Sequence, residues 1–143
     1  MRSRRMILGL IAIGLLVPAC KEVEASEDST YQEPSTLVAI DGSDVSQVIL
    51  TAKAAERIGL ETASVEAATD GSTIIPHAAV FYGLNGETWT YTSPEPLTFV
   101  REPVTVRAID GDTAYLSAGP AAGTAVVTVG AAELFGVESG VGH

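Results

Sequence analysis

From position 72 to 134 the chain repeats one rhythm. Short runs of β-branched, aromatic or small apolar residues are broken by glycine, asparagine or aspartate. Residues 73–75, 78–82, 89–91, 98–108, 114–117 and 125–129 supply the runs. Gly83-Leu84-Asn85-Gly86, Asp110-Gly111-Asp112 and Gly119-Pro120-Ala121-Ala122-Gly123 supply the breaks. Runs of this make-up predict antiparallel strands joined by tight turns, because a pleated chain packs branched side chains well and Asn-Gly or Asp-Gly reverses it at little steric cost. Thr88-Trp89-Thr90-Tyr91-Thr92 alternates threonine with aromatics, which puts Trp89 and Tyr91 on one face. Pro76 fits a strand end or edge, Pro94 and Pro96 interrupt, and Pro103 divides the run after residue 97.

Upstream, residues 37–40 predict a strand, 41–44 a turn and 48–50 a second short run. At Thr51 the period changes. Thr51 can cap a short helix over 52–58 that Gly59 ends, and residues 60–66 then alternate as a half-exposed strand does. Residues 131–135 can make a single helical turn after Gly130. With eight or nine short strands and no long helix to cover a parallel sheet, the expected fold is all-β. It is a small antiparallel barrel or sandwich with one short helix, occupying 35–135 as a single domain, with 136–143 as a frayed end.

Residues 1–5 are short and basic, and residues 6–17 are apolar, too short a run for a membrane span. Leu16-Val17-Pro18-Ala19-Cys20 closes that run. It resembles the lipobox of bacterial lipoproteins, which implies a signal peptide over 1–19 and a lipid-bearing Cys20; ordinary secretion, a retained membrane anchor and an inert buried thiol are the other readings. Residues 20–34 are rich in Glu, Asp, Ser and Thr, so they bury too little to order themselves and read as a flexible acidic tether. Cleavage before Cys20 leaves five basic against eighteen acidic residues, a formal charge of −13. Nothing here resembles a basic patch for nucleic acid, and anionic headgroups repel such a surface, so the bilayer is reached through the acyl chains alone. With one cysteine, no intrachain disulfide can form.

Chemistry is sparse. Nucleophile-elbow, phosphate-loop and paired-cysteine patterns are missing, and only His77 and His143 could act as imidazole bases. No catalytic residue, metal site or cofactor is expected. Asp110-Gly111-Asp112 resembles a fragment of a calcium loop but lacks its further oxygen ligands, so a hairpin turn accounts for it. His77, Trp89 and Tyr91 are the candidates for lining a ligand pocket. Core packing is the other reading of the aromatics.

Two stretches resemble a known family. Ile75-Pro76-His77-Ala78-Ala79-Val80, Gly86 with Trp89-Thr90-Tyr91, the run from Phe99 to Val106, and the run from Ala114 to Leu134 are similar to the closing segment of the periplasmic adaptor subunits (membrane fusion proteins) of efflux pumps. Residues 48–65, centred on Ile58-Gly59-Leu60-Glu61-Thr62, resemble that family's opening strand. The resemblance implies a membrane-proximal domain built from both chain ends, with the distal domains missing between Val65 and Ile74. It implies efflux and transmembrane transport as context, and docking onto a membrane transporter or another envelope protein. Arg101, Glu102, Arg107, Asp110 and Asp112 would lie at that contact. The expected location is the extracytoplasmic face of the cell envelope, held to the membrane by lipid. A small-solute or metal-binding lipoprotein is the alternative.

Overall fold

The structure is a computed structural model that describes residues 32–141. The signal segment 1–19, Cys20, the tether up to residue 31, and His143 lie outside the described residues.

The first described elements are a hairpin of β1 (Ser35–Ala39) and β2 (Ser46–Leu50), in unbroken antiparallel register from Ser35 opposite Leu50 to Ala39 opposite Ser46. Its turn is held by the Ser43 N–H donating to the Ile40 carbonyl at 3.0 Å. Next comes α1 (Ala52–Arg57), where the Thr51 hydroxyl accepts the Ala54 N–H at 3.1 Å and so satisfies a donor that every helix start leaves unpaired. Then follow β3 (Glu61–Ser64), β4 (Glu66–Ala67), β5 (Thr73–Pro76), a 3-10 turn (His77–Ala79), β6 (Phe81–Tyr82), β7 (Thr88–Glu95), β8 (Thr98–Pro103), β9 (Thr105–Asp110), β10 (Thr113–Ala118), β11 (Ala125–Val129) and α2 (Ala131–Ser139).

The strands make two antiparallel sheets. The larger runs β1-β2-β8-β7-β11-β3, with β6 added beside β7; the smaller runs β4-β5-β10-β9. Two single residues carry the chain from one to the other. Val65 separates β3 from β4, and Val104 separates β8 from β9. Both are pinned through the backbone. Val65 donates its N–H to the Thr124 carbonyl and accepts the Gly123 N–H, each at 2.8 Å. Val104 donates to the Thr88 carbonyl at 3.0 Å while its own carbonyl accepts the Thr88 hydroxyl at 2.6 Å.

Alternation along β11 divides the apolar residues into two cores. Val127 joins Val48, Leu50, Tyr91, Phe99 and Leu134, the cluster that α1 and α2 complete with Ala55 and Ala131. Val126, its neighbour, points the other way into a cluster of Val65, Ile75, Ala79, Val104, Ala114 and Leu116. The crossover valines therefore sit in the second core, where their burial helps fix the switch between sheets.

The all-β barrel or sandwich expected above is corrected. Among the described residues the fold is mixed, with two helices and two separate sheets that do not close into a barrel. Closure fails because the outer strands of the larger sheet have one neighbour each, β2 for β1 and β11 for β3. Besides α1, the expected single turn at 131–135 continues as α2 through Gly136 to Ser139, where a frayed end was expected. A mid-helix glycine costs about 1 kcal/mol; the packing of Leu134 and Val137 against the first core outweighs it. Gly130 starts that helix at φ +100, and a Cβ there would stand 3.2 Å from Ile58 Cδ1, so the position suits glycine on two counts. Residues 78–82, expected as one strand, divide into the 3-10 turn and the two-residue β6. The His77 N–H goes to the Asp112 carbonyl at 2.8 Å, and the Val80 N–H returns to the His77 carbonyl at 3.0 Å.

If α2 closes the first core as described, Leu134→Ala lowers stability by about 3 kcal/mol in urea unfolding. A change below about 0.5 kcal/mol would show the helix to be dispensable.

Candidate functional site

The longest uncharged, apolar strand edge of the described surface that has a neighbour on one side only is β1. Leu37 and Val38 are 46% and 41% exposed, and Ile40 and Ile49 beside them are also open to solvent. Leu37 stands opposite Val48 on the helix-covered face of the sheet, and Val38 opposite Gln47 on the other face. Residues 32–52 carry Glu33, Asp41 and Asp44 and no lysine or arginine.

Besides the β2–β8 ladder and the burial of Val48 and Leu50, a carboxylate in α2 ties this hairpin to the body. Glu138, whose side chain is 5% exposed, accepts three hydrogen bonds from three different strands. Arg101 Nε of β8 donates to Oε1 at 3.0 Å, the Ser46 N–H of β2 donates to the same oxygen at 3.1 Å, and the Tyr91 hydroxyl of β7 donates to Oε2 at 2.6 Å. Ser46 is the residue opposite Ala39, so the carboxylate grips the hairpin near its turn end. Aromatic rings surround it. Phe81 stacks on Tyr91 with centroids 5.1 Å apart and leans on Phe135 at 5.6 Å; the Arg101 guanidinium carbon lies 4.5 Å from the Trp89 centroid. The guanidinium thus has a carboxylate and a π-face together, a combination suited to a weakly hydrated planar cation. Burial, and then the bond to Glu138, push the Tyr91 phenol well above its ordinary value, so it remains a donor throughout the physiological range.

The five residues expected at a partner contact do not form one surface. Arg101 is turned inward onto Glu138. Glu102 follows it on β8, paired with Thr90, and burial lifts its carboxyl above the ordinary range. Arg107, on β9 of the smaller sheet, meets Asp70 Oδ2 at 2.8 Å with both side chains about half exposed. Asp110 and Asp112 are exposed at the β9–β10 turn. His77, Trp89 and Tyr91 do not line a common pocket either. Tyr91 is fully buried in the first core, Trp89 is covered by Arg101, and His77 belongs to the 3-10 turn beneath Asp112. An apolar cleft between the two helices is lined by Leu50, Ala54, Ile58, Leu134 and Val137, and by none of these three. Among the described residues no group of three or more His, Cys, Asp or Glu could hold a metal ion.

Reading the sequence missed Glu138, having assigned it to a frayed end. The signal was present in the spacing. Ala131, Leu134, Phe135 and Glu138 fall at helical intervals on one face, which places an acid among core positions and calls for a buried cation.

No family model, no curated protein and no solved structure matches this chain. Efflux and transmembrane transport, expected from the resemblance to adaptor subunits, are therefore corrected: no adaptor family or adaptor structure is matched, and those descriptions are withdrawn. Among the described residues no helix is long and apolar enough to cross a membrane.

Two outcomes follow from this geometry. Glu138→Ala leaves Arg101 without its carboxylate and lowers stability by about 3 kcal/mol, while Arg101→Met with Glu138→Leu recovers part of that loss, the Tyr91 hydroxyl and Ser46 N–H still lacking their acceptor; chemical unfolding of the two variants beside the parent chain measures both. Asp70 accepts the Ser72 hydroxyl at 2.6 Å and the Ser72 N–H at 3.1 Å and then faces Arg107, which together hold its carboxyl well below the usual range. Its folded value being depressed, any stabilisation is present above the unfolded value near 3.9 and fades as pH falls through the folded one. In a carboxyl NMR titration, Ser72→Ala raises the Asp70 midpoint more than Arg107→Ala does.

Proposed function

We propose that this chain is a non-enzymatic, lipid-anchored docking module of the cell envelope. Acylated Cys20 holds it to a bilayer on the extracytoplasmic face, and the β1–β2 hairpin binds another envelope protein. No bond is made or broken; the work is positioning. The observation that carries this reading is the uncharged β1 edge, unpaired among the described strands and flanked by exposed Leu37 on one face and Val38, Ile40 and Ile49 on the other, since an open apolar edge is a template for pairing with another chain. Two further points support it. Ser35 is fifteen positions from Cys20, so β1 lies within about 50 Å of an anchored cysteine even with the intervening chain fully extended. The mature charge of −13 disfavours anionic lipid headgroups and nucleic acid and favours a partner with basic surface.

The test is a crosslinking pull-down of the full chain from gently solubilised membranes, with mass spectrometry of Cys20. The expected result is a diacylglyceryl-modified cysteine and one envelope protein recovered in stoichiometric amount. Recovery drops at least tenfold with Val38→Asp and is abolished from the membrane fraction with Cys20→Ser. A purified chain that instead carries a small solute or a metal ion, and recovers no protein, would replace this reading with the ligand-binding lipoprotein.

A further inference from the structure

The docking mode is legible in the hydrogen bonds of the hairpin. In an antiparallel pair, residues whose backbone groups face the neighbour alternate with residues whose groups face away. The Thr51 N–H donates to the Pro34 carbonyl at 2.9 Å, which fixes the parity of the β1–β2 ladder. Positions 34, 36 and 38 therefore face β2. The Leu50 N–H goes the other way, to the Leu97 carbonyl at 2.9 Å, as that parity requires for the residue opposite Ser35. The N–H and C=O groups of Ser35, Leu37 and Ala39 are consequently directed outward from the sheet, where none of the described strands pairs with β1.

Free sheet edges are usually protected by charge, proline or a bulge. The other four edges here are charged, shifted in register or very short: β6, beside β7, is two residues long. β3 begins with Glu61 and has a register shift against β11; β4 is two residues long and contains Glu66; β9 carries Arg107 and Asp110 and has two register shifts against β10. Against these, β1 reads Ser-Thr-Leu-Val-Ala in unbroken register, with no charge and no proline within it.

We propose that β1 is a strand-addition site, at which an extended segment of the partner becomes the next strand of the larger sheet. This rests on the docking reading above and gives it a mode and a ligand chemistry. Backbone groups of Ser35, Leu37 and Ala39 supply the pairing, and Leu37 and Val38 meet the added strand's side chains on opposite faces. Charge decides the occupant. Glu33 and Asp41 lie four positions either side of Leu37. An antiparallel second copy centred on Leu37 would set Glu33 against Asp41 of that copy at both ends, a like-charge pairing that disfavours a homodimer. The fitting ligand is a stretch of about nine residues, β-branched or apolar in its interior and ending in lysine or arginine on each side.

Selection of a displayed nine-residue peptide library against the full chain in detergent, followed by amide exchange of the free and bound protein, tests this. Enriched peptides should have basic ends around a β-branched interior, and should slow exchange at Leu37 and Ala39 at least tenfold with little change at Thr36 and Val38. Leu37→Pro should weaken them at least tenfold while leaving the fold intact, because the lost N–H points outward; proline is tolerated on that side of an edge strand. Ile109→Lys, on the β9 edge, should leave affinity unchanged. The inference is overturned by a library that yields no binder, by binders that survive Leu37→Pro, or by amides at Leu37 and Ala39 already protected in the free chain. In that last case sedimentation distinguishes a second copy from cover by the chain itself. An envelope partner captured by the full chain but unaffected by Leu37→Pro would overturn strand addition and leave the docking function standing.

Discussion

The carboxylate of Glu138 is the point on which the arrangement of this molecule turns. Its two oxygens collect a guanidinium, a phenol and a backbone amide from three strands, and the helix that presents them is the lid of the first core. A buried charge of this kind is costly to create, and its attraction to one cation does little more than balance desolvation. Its value lies in specificity. Only one placement of α2 over the sheet satisfies all three donors, so the acid selects a register for the helix and, through Ser46, an angle for the hairpin.

The sheets show a different economy. One strand, β11, serves both cores by sending adjacent valines to opposite sides, and two valines carry the chain from one sheet to the other. A strand with one buried face alternates apolar with polar residues; β11 reads Ala-Val-Val-Thr-Val because both its faces are covered at its centre. The crossovers at Val65 and Val104 need no glycine or long loop, since each is a single extended residue whose backbone groups are taken up by a neighbouring segment. The hairpin at the far end of the larger sheet joins this packing through Val48 and Leu50 of β2, while β1 contributes no buried residue to either core.

Local features were legible in the sequence. Thr51 before an alanine-rich stretch marked α1, Asp41-Gly42 and Asp110-Gly111 marked hairpin turns, and the strand runs lie close to where the residue pattern put them. Failures came where distant packing overrides local preference. Gly136 reads as a helix stop, but Leu134, Val137 and Glu138 are held from outside the helix. Residues 78–82 read as a strand, but the His77 amide is claimed by Asp112 from another hairpin. Arg101 looked like a surface charge because its partner lies 37 positions away. The candidate contact residues were selected for charge; the uncharged edge at 35–39 could be recognised only once its lack of a neighbour was known.

The position of β11 and α2 in the chain has a consequence for how the protein comes into being. Both cores draw essential members from residues 125–139, so a chain emerging from its N-terminal end has neither core complete until those residues are out. The hairpins can form early, as local pairings do, but each is marginal alone. A nascent chain of this design therefore acquires its tertiary structure only after almost all of it has been synthesised.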